Sequence, residues 1–195
     1  MTQTEPERLT SRQRRIEEQR RKRMVWGAGI VVVVAAALAA VLLLLPRGST
    51  ASASMRQVVT ESASHVDEGA PLSYRNRPPS SGDHYDQPAG YGFFQREIPA
   101  GNWIHDLEHG GIVVLYRPDL CDQACQNQLQ DTYNSAPSSA LFPGTRKMLV
   151  VPYQDMDHMI ASVAWGWIDE MDAFDKDRIL AFYKAHVDKG PEQAL

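Results

Sequence analysis

The chain has 195 residues, of which 43% are hydrophobic and 23% charged, and its formal net charge is −4. That length suits one domain with an appendage and leaves little room for two full cores. The composition excludes a wholly disordered or collagen-like chain, and two cysteines exclude a disulfide-dense scaffold. A mildly acidic balance gives no sign of a nucleic-acid partner.

The charge is distributed unevenly. Residues 1–23 carry eight Lys/Arg and four Glu, a net +4, whereas residues 46–195 carry twelve Lys/Arg and twenty Asp/Glu, a net −8. Between them, Val25 to Leu45 is a run of 21 residues without a charge. At about 1.5 Å per residue such a run spans roughly 30 Å as a helix, enough to cross a bilayer once. Positive residues beside it keep that end in the cytoplasm. Ala51-Ser52-Ala53 has the small-residue spacing of a signal cleavage site. The apolar run exceeds the roughly 7–15 residues of a secretory core, however, which favours an uncleaved anchor. The expected organisation is a basic cytoplasmic tail over 1–24, a transmembrane helix over 25–45, a linker over 46–55 and an extracytoplasmic domain over 56–192. The expected location is the cell membrane, which the chain spans once, with a membrane protein complex as a candidate partner.

Within the outer domain, His65 to Pro99 is dense in Pro, Gly, Ser and Asp and reads as irregular structure. Ile112 to Tyr116 (IVVLY) is a continuous β-branched run and reads as a strand buried on both faces. Pro118-Asp119 offers a helix start, and a helix is expected from about Leu120 to Tyr133. Met148 to Tyr153 and Ile160 to Trp167 read as two strands forming a hairpin across Gln154–Asp157. A final helix, capped by Asp172 or Asp175, is expected to run through Lys189 and stop at Gly190-Pro191. Together these predict a small α/β (α+β) domain of order βαββα, with thioredoxin-like as the sharper version, behind a long irregular segment.

All six histidines lie in the outer domain. His84 ends the rigid turn Pro78-Pro79-Ser80-Ser81-Gly82-Asp83-His84. His105 and His109 stand four apart in HDLEHGG, a spacing that projects two imidazoles from one helical face towards a shared ion. The candidate metal ligands are therefore His84, His105 and His109, with His65 and Met156 as further candidates. Asp83, Asp106 and Glu108 are candidates for orienting the ring nitrogens. Imidazole suits zinc or copper, and a thioether shifts the preference towards Cu(I). The competing reading is that these histidines brace a proline-rich loop by hydrogen bonding alone. His-Asp-Leu-Glu-His also matches the inverted zinc-protease motif, but Gly110-Gly111 and a strand follow at once, leaving too little helix. Cys121 and Cys125 read as a structural disulfide outside the membrane, or as a redox or copper-carrying pair at a helix N-terminus.

The motifs PPSSGDH, IHDLEHGGIVVLY and VPYQDMDHMIASVAWGW, with the final FDKDRILAFY, resemble the bacterial family catalogued as domain of unknown function 3105. The likeness spans roughly residues 56–192 and includes the single membrane anchor. Family members more often carry Thr where Ser80 stands and Pro where Asp83 stands. The resemblance implies an anchored extracytoplasmic domain and brings no established activity. The expected role is thus non-catalytic metal handling or support of a membrane assembly. A metal-free interaction module and a thiol-redox protein are the alternatives.

Overall fold

The structure is a computed structural model that describes residues 55–61 and 63–194. The basic tail, the apolar run and all of the linker but Met55 lie outside the described residues, and so do the expectations placed on them. Among the described residues, no helix is long and apolar enough to cross a membrane. The elements in chain order are β1 (Arg56–Gln57), β2 (His65–Val66), β3 (His84–Tyr85), β4 (Gly92–Phe93), α1 (Ala100–Glu108), β5 (Ile112–Tyr116), α2 (Gln123–Ser135), β6 (Met148–Pro152), β7 (Ile160–Ala164), β8 (Trp167–Met171) and α3 (Lys176–His186).

The strand β5 is buried along its whole length, and its residues alternate between two hydrophobic clusters. Ile112, Val114 and Tyr116 join Leu129 of α2 and Ile179, Phe182 and Tyr183 of α3 on one face. Val113 and Leu115 join Trp103, Ile104 and Leu107 of α1 on the other. The period-2 alternation of a strand with helices on both faces explains why its sequence is apolar throughout. Strands β6 and β7 divide in the same way, with Met148, Val150 and Ile160 on the first face and Leu149, Val151 and Val163 on the second.

Six strands form one mixed sheet in the order β1-β8-β7-β5-β6-β4, and β2 and β3 form a separate parallel pair. Strands β4, β6 and β5 run parallel, and the pairs β5–β7, β7–β8 and β8–β1 are antiparallel. The helix α2, expected between these strands from the sequence, connects the parallel neighbours β5 and β6.

The expected hairpin is different. Strands β6 and β7 are not neighbours, because β5 lies between them. The stretch Ile160–Trp167 breaks at Trp165-Gly166, where Gly166 adopts φ +70, and the chain returns as β8 with Ala164 opposite Trp167. A two-residue turn needs positive φ, which glycine supplies. The sequence hides β8 because it contains Asp169-Glu170. Asp169 is nevertheless buried, its carboxylate accepting from the Arg178 guanidinium at 2.6 and 2.8 Å. The order from Ile112 onward is therefore βαβββα rather than βαββα.

Helix boundaries also move for local reasons. Arg117 engages Asp119 at 2.5 and 3.0 Å, and Asp122 accepts from the Cys125 N–H at 2.9 Å, so Asp122 is the N-cap of α2. Asp175 caps α3 in the same way through the Arg178 N–H. That helix ends at His186 instead of Lys189, because Asp188 turns at φ 63 and its carboxylate accepts from Ser139 and Ala140.

Lys147, just before β6, has no exposed surface. Its ammonium donates to the His109 carbonyl at 2.8 Å and the Ala194 carbonyl at 2.6 Å, and lies 3.7 Å from Asp188 Oδ1. Burial pulls its pKa down, and the Asp188 carboxylate opposes that shift. This cation ties the end of α1 to the C-terminal segment. Replacing it strands three acceptors without a cation, so Lys147→Met is expected to lower unfolding free energy by about 3 kcal/mol. Urea denaturation of the two proteins at equal m-value measures the difference.

Candidate metal centre

The parallel pair β2–β3 places His65 opposite His84. The segment leading to His84 is pinned by the Ser81 hydroxyl, which accepts from the Glu61 N–H, and by the Ser80 carbonyl, which accepts from the Gly166 N–H. His105, on α1, then comes against β3 from the other side. Ring centroids are separated by 4.7 Å for His65–His84, 4.9 Å for His65–His105 and 5.1 Å for His84–His105. One ring nitrogen from each lies within 4.8 Å of the others. His84 and His105 are buried, whereas the His65 side chain is 44% exposed and opens the group to solvent.

Backbone carbonyls set the ring orientations. His84 Nδ1 lies 2.9 Å from the Gly82 carbonyl and His105 Nδ1 lies 2.7 Å from the Tyr85 carbonyl. A carbonyl oxygen only accepts, so both Nδ1 atoms carry the proton and donate it. That leaves each Nε2 as the atom with ligand chemistry, the arrangement that holds metal-binding imidazoles in place. Glu108, at the end of α1, is 7% exposed, and its Oε2 lies 3.0 Å from His84 Nε2 and 3.4 Å from His65 Nε2. A carboxylate oxygen facing a ring lone pair is repulsive unless a proton or a cation lies between them. The group of His65, His84 and His105 could hold a metal ion. Tetrahedral bonds of about 2.0–2.1 Å require ligand nitrogens roughly 3.4 Å apart. Of the three rings, half-exposed His65 has the most room to adjust.

His109 does not join these three rings. The helix α1 ends at Glu108, and His109 is its C-cap, its N–H still donating to the His105 carbonyl at 3.2 Å. Its ring meets His105 edge-on at 4.6 Å, and its Nε2 lies 3.6 Å from Glu192 Oε2. A second ligand group, Glu108, His109 and Glu192, forms there. The division of His105 and His109 between two groups also removes the basis for an inverted zinc-protease site.

Of the acids expected to orient the rings, only Glu108 reaches them. Asp83 is exposed, and the Gly82 carbonyl takes the place foreseen for its side chain. Asp106 is buried, and its carboxylate accepts from the Ala89 and Gly90 N–H groups at 2.9 and 3.2 Å, bracing the loop before α1. Burial pushes the Asp106 pKa up to about 7, against the opposing pull of those two donors. Met156 is 2% exposed and fills the apolar cluster around Trp103, Leu107 and Tyr153. His158 pairs with Asp172 at 2.8 Å, and His186 Nε2 lies 3.3 Å from Met55 Sδ. Glu192 carried no signal in the sequence, because it belongs to no motif and acts only through the fold of the C-terminal segment.

Cys121 and Cys125 form a disulfide and are 0% and 8% exposed. The pair follows the C-terminal end of β5, whereas α1 and its histidines precede the N-terminal end. Five residues of strand, roughly 16 Å, separate those ends, so cysteines and histidines do not make one copper-carrying site.

Fold and site together define an α+β domain with a histidine–carboxylate group able to hold a metal ion. The family model described as "Protein of unknown function (DUF3105)" matches residues 65–195, and the chain belongs to that family. No curated protein and no solved structure matches it.

Both bridged cysteines are buried, which shields the bond from reductant. The folded protein is expected to show no titratable thiol and no insulin-reducing activity, with two thiols appearing only after reduction in denaturant. A thiol pair released by mild reductant in the folded state is the contrary result.

Proposed function

We propose that this chain is a membrane-anchored, extracytoplasmic domain that binds a zinc or copper ion through His65, His84 and His105, with Glu108 as the neighbouring oxygen donor. Its work is metal handling or support of a membrane complex. The observation that carries the reading is the pair of imidazoles whose Nδ1 protons are committed to the Gly82 and Tyr85 carbonyls. Those two rings group with His65, and the buried Glu108 carboxylate meets His84 Nε2 at 3.0 Å and His65 Nε2 at 3.4 Å. Loop bracing needs the first set of bonds but gives no reason for the second.

Three imidazoles and a carboxylate favour Zn(II) or Cu(II), because Cu(I) prefers soft sulfur and the candidate thioether, Met156, fills the core. The compartment rests on two supports: the uncharged run Val25–Leu45 behind a basic tail, and a disulfide, which persists in oxidising surroundings.

The full chain, purified in detergent and stripped with chelator, is expected to bind Zn(II) or Cu(II) stoichiometrically by elemental analysis. His105→Ala is expected to weaken that binding at least 100-fold in competition with a chromophoric chelator. Failure of the wild-type chain to bind either ion overturns the reading.

A further inference from the structure

The two ligand groups share one residue. Glu108 touches His84 and His65 in the first and belongs to the second with His109 and Glu192. We infer that the centre is dinuclear, with Glu108 as a carboxylate bridge between two divalent transition-metal ions. This inference rests on the metal-binding reading above. The first ion takes His65, His84, His105 and one Glu108 oxygen. The second takes the other Glu108 oxygen, His109 and Glu192.

Three observations support the second ion. Glu108, Glu192 and His109 place ligand atoms within 4.8 Å of one another, so a nearly buried carboxylate and a half-exposed one face the same imidazole at the domain surface. Like charges that close raise each other's energy unless a cation sits between them.

The C-terminal segment is also built to deliver Glu192 to this place. The Glu192 N–H donates to the Glu108 carbonyl at 3.0 Å, the Asp188 N–H donates to the Gly110 carbonyl at 2.9 Å, and Lys147 holds the His109 and Ala194 carbonyls together. A Cβ at Gly190 would collide with the Glu108 carbonyl, so glycine is what permits the close approach.

The third observation is proximity. The His105 and His109 rings meet edge to face with centroids 4.6 Å apart, so the two groups adjoin, as the ligand sets of two-metal sites do. Four neutral imidazoles and two carboxylates leave two dications a net +2, which a bridging hydroxide lowers further. The second ion, with three protein ligands of which Glu192 is half exposed, keeps a position open to water or a small anion.

The test counts ions in the full chain. Apo protein titrated with Cu(II) alone is expected to take up two ions per chain. The paramagnetic signal of the first is expected to be lost when the second arrives, because the two spins couple through Glu108. Glu192→Gln, an isosteric change at an exposed side chain, is expected to hold one ion and keep its uncoupled signal. Gly190→Ala is expected to do the same by displacing the segment. A wild-type chain that stops at one ion, or a Glu192→Gln chain that still takes two coupled ions, overturns the bridge and leaves the single-metal reading intact. Uptake of no ion removes both.

Discussion

The strand β5 has no face towards water, and this constraint decides where everything else goes. Each of its five residues is buried, and successive side chains leave for opposite sides. Two separate apolar layers must therefore cover it. Helices α2 and α3 supply one, and the short helix α1 with the irregular segment supplies the other. The candidate centre lies in that second layer because α1 carries His105 and Glu108 on the run into β5. Burial of the strand thus fixes the helix, and the helix fixes two of the donors.

The irregular segment contributes the remaining imidazoles through very little regular structure. Strands β2 and β3 are two residues each, too short to hold themselves together. They are kept in place by side-chain and backbone bonds to neighbouring loops, such as Ser81 to Glu61 and Ser80 to Gly166. Proline and glycine in this stretch do not signal disorder. They allow a chain without helices or long strands to pass close to α1 and present ring nitrogens at defined angles.

What the sequence discloses follows the range of the interactions involved. β5, α2 and α3 are legible because apolar periodicity and capping are local. His84, His105 and Glu108 are legible because dense short motifs contain them. His65 and Glu192 become meaningful only through pairings across long stretches of chain, which no local pattern announces. β8 is obscured for a related reason: Asp169 is polar by type and buried by virtue of Arg178, nine residues away. The HDLEHGG spacing does bring the His105 and His109 rings together at 4.6 Å, but the grouping of His109 with Glu192 depends on the fold of the distant C-terminal segment.

The placement of His65 has a kinetic meaning. His84 and His105 sit on buried backbone with their rings tethered to carbonyls, so they move only when the surrounding layer opens. His65 is on a two-residue strand, half exposed, and belongs to the part of the fold that opens at least cost. On the proposed metal-binding reading, an ion held by all three rings would leave by way of His65, at a rate set by local fraying and not by unfolding of the domain. Retention and release would then be separable, the buried pair governing how tightly an ion is held and the exposed ring how quickly it is exchanged.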